Sequence, residues 1–202
     1  TDSKKFGKLL AISGFMTWDR DEAYYAQDEW RGKWATEGGG VLMNQAPHNL
    51  DLWQWICGMP VRVRAFCHVG KWHDIEVEDD VTAYVEYENG ATGVFVTTTA
   101  DCPGDNRFEV MCERGKLVCE DGKLTVCKLN QSEREYCFNA TEGFRPLEHT
   151  DYQPETDGKN DQHNGVLRAF AAHILHGDPL VADGSEGIFG LTLCNAMYLS
   201  SW

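Results

Sequence analysis

The sequence predicts an α+β domain: an open, mainly antiparallel β-sheet with helices on one face. Three observations carry that reading. From Val61 to Phe138 apolar residues recur at every second position, the period of a strand with one face buried. The stretch is punctuated by Asn89-Gly90, Arg114-Gly115 and Asp121-Gly122, which suit tight turns between consecutive antiparallel strands. Helical spacing lies outside it, over Val41–Cys57 and over about residues 161–176 and 185–202.

In chain order, residues 7–18 read as a first strand. Residues 19–37 crowd Tyr24, Tyr25, Trp30, Arg31, Lys33 and Trp34 together without a clean period. That predicts a loop or short helical turn, and loops rich in such groups often hold ligands. Gly38-Gly-Gly40 is a backbone hinge ahead of the first helix, which Gly58-Met-Pro60 terminates. In the sheet region Val61, Val63 and Ala65 alternate with Arg62 and Arg64, and Val81, Ala83, Val85 and Tyr87 with Thr82, Tyr84 and Glu86, which predicts a meander. Residues 139–160 are polar and loop-like. The next helix presents Val166, Leu167, Phe170, Ile174 and Leu175 and stops at Gly177-Asp-Pro179. There is no internal repeat and no linker. Thr97-Thr-Thr99 and the tyrosines of 84–87 make the second sheet face neither plainly polar nor plainly apolar, which fits an oligomer interface and a solvated face equally.

The 202 residues are 42% hydrophobic and 25% charged, which excludes disorder and low-complexity classes. No run approaches the ~20 apolar residues of a membrane helix. A formal charge of −14 repels phosphate backbones and anionic lipid, so nucleic acid and membrane are not expected partners. The eight cysteines include no C-x-x-C pair and mostly alternate with valine and leucine, as in Leu117-Val-Cys119. They are expected to be small buried thiols in a reducing compartment, hence a cytoplasmic protein. The start at Thr1 and the stop at Trp202 within an apolar pattern suggest a piece of a longer protein.

One constellation stands out for chemistry. On a continuous helix Asn44, His48 and Asp51 fall at i, i+4 and i+7, on one stripe. An imidazole there can exchange a proton near neutral pH, an amide can hold a substrate hydroxyl, and a carboxylate can fix the ring's tautomer. Pro47 requires that the helix either begin near Asn44, as its N-cap, or kink there. His163 opens the later helix, whose mouth can face a ligand. No G-x-G-x-x-G loop and no G-x-S-x-G elbow is present. No metal is expected, because no second histidine converges on His48 and Asp51 at ligand spacing.

The run Trp30-Arg-Gly-Lys-Trp34 followed by Glu37-Gly-Gly-Gly-Val-Leu-Met-Asn-Gln-Ala-Pro-His48-Asn-Leu-Asp51 resembles the C-terminal domain of the Gfo/Idh/MocA oxidoreductases. Asn89-Gly-Ala-Thr-Gly93, Gly115-Lys-Leu, His163 and Asp183-Gly-Ser-Glu-Gly187 continue the resemblance in order over nearly the whole chain. It implies one substrate-binding and oligomerisation domain over residues 1–202, preceded in the full protein by a Rossmann domain that binds NAD or NADP. It also implies a sugar-like small-molecule substrate and a homodimer or homotetramer formed through the sheet. His48 matches the family's acid/base histidine. The position four residues earlier is often aspartate in the family; Asn44 here can hold a hydroxyl but not relay a proton. Tyr25, Arg31, Lys33, Trp34 and His163 are expected to line the pocket, Trp34 as a flat face for a pyranose and Arg31 as partner of a carboxylate or phosphate. The dinucleotide fingerprint and the family's Glu-Lys-Pro motif are absent from this chain, so the piece alone is expected to be inactive. The alternative is a dimerising or ligand-sensing module of the same fold without chemistry.

Overall fold

The computed structural model describes residues 3–143, 146–155 and 162–202. Thr1, Asp2, Asp161 and part of the 139–160 loop expectation lie outside them. The order of elements is α1 (Ser3–Phe6), β1 (Leu9–Thr17), α2 (Glu22–Ala26), α3 (Trp34–Glu37), α4 (Val41–Asn44), α5 (Pro47–Cys57), β2 (Arg62–Val69), β3 (Glu78–Glu86), β4 (Thr92–Thr98), β5 (Asn106–Cys112), β6 (Gly115–Glu120), β7 (Lys123–Leu129), α6 (Glu133–Asn139), β8 (His149–Tyr152), α7 (Gln162–His176) and α8 (Gly187–Ser201).

The eight strands form one open sheet in the order β2-β3-β4-β1-β5-β6-β7-β8. The α+β expectation holds; β1, whose neighbours the sequence leaves open, lies parallel to β4 in mid-sheet and antiparallel to β5 and joins two meanders. Burial explains the insertion. Ile12 and Met16 on β1 are almost fully buried, and only a central strand gives such side chains neighbours on both sides. The hairpins form where the turn residues stand. Asp121 and Gly122 both take positive φ, +50° and +74°, as a two-residue primed turn requires. Sequence reading missed α6 and β8; β8 is four exposed residues with no apolar alternation.

The core lies between the sheet and the layer of α4, α5 and α8. Trp53 of α5 sits at its centre, edge-on to Phe95 and Phe108, its indole N–H donating to the Tyr87 hydroxyl at 2.6 Å. Gly14 and Gly93 make room for it. A Cβ on Gly93 would stand 2.7 Å from the indole, and one on Gly14 3.1 Å from it. Thr97, Thr99 and Tyr87 are buried on this inner side, which corrects the expectation that they lie on the second face. The helix-free face instead carries Phe15, Phe66, Tyr84, Val94 and Met111, all exposed.

All eight cysteines are free, but only Cys112 and Cys194 are buried, and Cys102, Cys119 and Cys137 are exposed. Strand alternation predicted burial that the layer of helices does not extend far enough to supply. Burial pushes the Cys57 and Cys194 thiols up to about 12. Among the described residues no helix is long and apolar enough to cross a membrane. Trp53→Ala is expected to cost about 3–5 kcal/mol in denaturant unfolding, with Trp53→Phe losing less, mainly the bond to Tyr87.

Candidate functional site

The segment between β1 and α5 folds over the end of the sheet where β1 and β4 finish and β3 begins. Two buried carboxylates at the start of β3 hold the loops there. Glu78, fully buried, accepts from the backbone amides of Gly40 and Leu42, each at 2.9 Å, and from the Tyr198 hydroxyl at 2.7 Å. It thus satisfies the free amides at the N-terminus of α4. Burial raises its pKa, opposed by the bonds from Leu42, Tyr198 and Gly40. Burial likewise drives the Tyr198 phenol upward, helped by the adjacent Glu78 charge. Asp79 accepts from the amides of Lys71, Trp72 and His73 at 2.8–3.0 Å and lies 3.0 Å from His73 Nδ1. His73 Nε2 donates to the Arg20 carbonyl at 2.9 Å, which fastens the β2–β3 loop to the segment after β1.

The triple glycine follows from this packing. A Cβ on Gly40 would collide with the Glu78 carbonyl. Because Glu78 already occupies the amides of Gly40 and Leu42, the glycine run offers no cradle for a pyrophosphate; the described residues do not fit a dinucleotide at this point.

Pro47 decides the geometry that follows. It lacks an amide hydrogen and its ring clashes with the carbonyl four residues back, so α4 ends at Asn44 and α5 restarts with Pro47 in its first turn. The chain breaks at Gln45-Ala46, and Asn44 is the last residue of α4, not an N-cap. The single helical stripe of Asn44, His48 and Asp51 is therefore interrupted. Asp51 accepts from Gln54 at 3.0 Å, and no bond from Asp51 fixes the His48 ring among the described residues. His48 stands exposed in the first turn of α5.

Two clusters meet just before it. In one, Arg31 donates to the Tyr24 hydroxyl at 2.5 Å and pairs with Asp28 at 3.1 Å, its guanidinium 4.2 Å from the Tyr24 ring and 4.4 Å from that of Trp30. Gln45 donates to the same hydroxyl at 3.2 Å. In the other, Glu37 accepts from the Gly32 amide at 2.6 Å and from the Asn44 side-chain amide at 2.5 Å. Asn44 and Gln45 being adjacent, both clusters end a few residues before His48. Tyr25 shares a hydrogen bond of 2.9 Å with Thr99, and burial pushes its phenol up to about 12, so it stays neutral at ordinary pH.

Three expected pocket residues stand apart. Trp34 packs edge-on to Tyr198 and Trp202, at 5.6 and 5.5 Å, and so joins α3 to α8. Lys33 is exposed ahead of α3, with no ion pair among the described residues. His163 opens α7, a largely exposed helix that packs extensively on no other element, so the structure does not bring it to the cluster. Sequence reading placed Tyr24 in the aromatic loop without a role of its own, and assigned no role to Glu37, Gln45, His73, Glu78 or Asp79. The run Glu78-Asp-Asp80 opening an apolar strand was the available signal, since acids there need buried donors.

A family model described as the GFO/IDH/MocA C-terminal domain matches residues 1–118. The chain belongs to this family. The resemblance carried by the glycine-to-Asp51 block is thereby borne out. The WlbA dehydrogenase from Bordetella pertussis, solved with NADH and UDP-GlcNAcA, is similar at a TM-score of 0.75 and 24% identity, over 99% of this chain and 54% of that one. Levoglucosan dehydrogenase, solved with NADH and levoglucosan, gives 0.75 and 18% over 99% and 58%. GenD2 from gentamicin A biosynthesis, solved with NAD, gives 0.69 and 21% over 100% and 55%. At these identities the likeness is one of fold. This C-terminal domain spans a little over half the length of those chains. A comparison with curated proteins yields no significant match.

Gly40→Ala is expected to destabilise this domain by about 1–3 kcal/mol through overpacking against Glu78. Gly184→Ala, where a Cβ meets nothing within 4 Å, should stay within about 0.5 kcal/mol. Urea unfolding of both variants checks this.

Proposed function

We propose that the chain is the substrate-binding domain of an NAD(P)-dependent oxidoreductase acting on a sugar or cyclitol, with His48 as the acid/base. The observation that carries the reading is an exposed imidazole with no partner among the described residues, in the first turn of α5, directly after two hydrogen-bonded polar clusters. The nicotinamide, held by a preceding domain, supplies hydride acceptance or donation. This chain's part is the proton: His48 takes it from the substrate hydroxyl during oxidation and returns it to the carbonyl oxygen during reduction.

Asn44 contributes from its tether to Glu37, which orients the amide. Tyr25 and Arg31 present a neutral phenol and a fixed cation; Lys33 adds a free cation at the rim. His163 reaches the pocket only when α7 is docked. That helix exposes Val166, Leu167, Phe170, Ile174 and Leu175, an apolar stripe that supports packing against a further domain. Without that domain the piece is inactive. The apolar residues of the open sheet face support a homodimer or homotetramer through the sheet, and the free cysteines fit a cytoplasmic setting.

The test is a nicotinamide-linked assay of the full-length protein on a panel of sugars, sugar acids and cyclitols. His48→Ala is expected to lower kcat about 10²–10⁴-fold with little change in stability, since the side chain is exposed. Unchanged turnover in His48→Ala overturns the acid/base role. Inactivity of the full-length protein on every sugar, with sugar binding retained, favours the ligand-sensing module instead.

A further inference from the structure

We propose that Cys127, His149 and Asp151 form a three-ligand site for a zinc-class divalent cation that clips β8 to β7. The donor atoms of these residues lie within 4.8 Å of one another. The sheet places them: Cys127 and Asp151 are direct cross-strand partners, and His149, two residues before Asp151, shares its face. Around one zinc ion, ligand bonds of about 2.0–2.3 Å put donors roughly 3.5 Å apart, so modest side-chain rotations close the site. His149 and Asp151 are exposed and free to make them.

The histidine is already set for ligation. Its Nδ1–H donates to the Leu147 carbonyl at 3.1 Å, which leaves the lone pair on Nε2, and Nε2 lies 3.7 Å from Asp151 Oδ2. A backbone carbonyl holding the far nitrogen is the usual support of a metal-bound imidazole. Thiolate with imidazole selects a zinc-class ion over calcium or magnesium, and three protein ligands leave a fourth position for water. Burial, and the hydrogen bond and charge of the neighbouring Asp151, raise the Cys127 thiol. Lys116, the cross-strand neighbour of Cys127 on β6, is the local cation that opposes the ion; Glu109 holds its ammonium at 3.1 Å.

The site lies on the face opposite α4, α5 and α8, toward the β8 edge of the sheet, where Cys127 lines a pocket with Tyr136 and Cys137 of α6, and it does not depend on the oxidoreductase reading.

Cobalt(II) titration of the reduced full chain tests it by the thiolate-to-cobalt absorption band, followed by zinc competition. The expected result is a band saturating at one ion per chain. Cys127→Ser should abolish it, Cys137→Ser, at an exposed cysteine on α6, should retain it, and His149→Ala should weaken zinc binding by at least about 10–100-fold. Far-UV circular dichroism confirms that each variant folds. Absence of the band in the wild type, or a band unchanged in Cys127→Ser, overturns the proposal.

Discussion

A single buried carboxylate holds the loop-covered end of this domain's sheet together. Glu78 starts a sheet strand, caps the amides of α4 and receives the hydroxyl of Tyr198 from α8, so one side chain joins three elements distant in sequence. An isolated buried charge costs several kcal/mol, and three directed donors are what make it tolerable. The arrangement constrains its neighbours in turn. Gly40 must lack a side chain for α4 to approach the strand, and the aromatic cluster of Trp34, Tyr198 and Trp202 closes over the junction. Asp79, the next residue, does for the β2–β3 loop what Glu78 does for the glycine hinge.

That anchoring gives His48 a defined base. With the start of α4 pinned by Glu78 and its end broken by Pro47, α5 begins at a fixed place and presents the imidazole from its first turn. The same packing explains why the glycine run is not a phosphate loop: an internal carboxylate occupies the amides that an anion would use. In the reading proposed above, this chain orders a sugar and handles a proton while the dinucleotide is held elsewhere.

The sheet, the hairpins at Asn89-Gly90 and Asp121-Gly122 and the helices from Val41 onward were legible because alternation, turn chemistry and helical spacing are local signals. The parallel placement of β1 was not, since an isolated strand does not declare its neighbours; only the burial of Ile12 and Met16 on both flanks reveals it. The helix start that carries His48 was legible from Pro47. Glu78 and Asp79 were not, because a run of acids normally reads as a solvated turn, and what buries them comes from residues 40–42, 71–73 and 198. The packing of Trp34 was not legible for a related reason: an aromatic in a polar loop looks free until the helix at the other end of the chain packs on it.

The most direct test of the central claim is a double-mutant cycle between Glu78→Gln and Tyr198→Phe, read by urea unfolding of the domain. A charge-assisted bond at the junction of three elements predicts a coupling of about 1.5–3 kcal/mol. Two losses that add to within about 0.5 kcal/mol would contradict it, and would mean that the Tyr198 hydroxyl does not tie α8 to this junction.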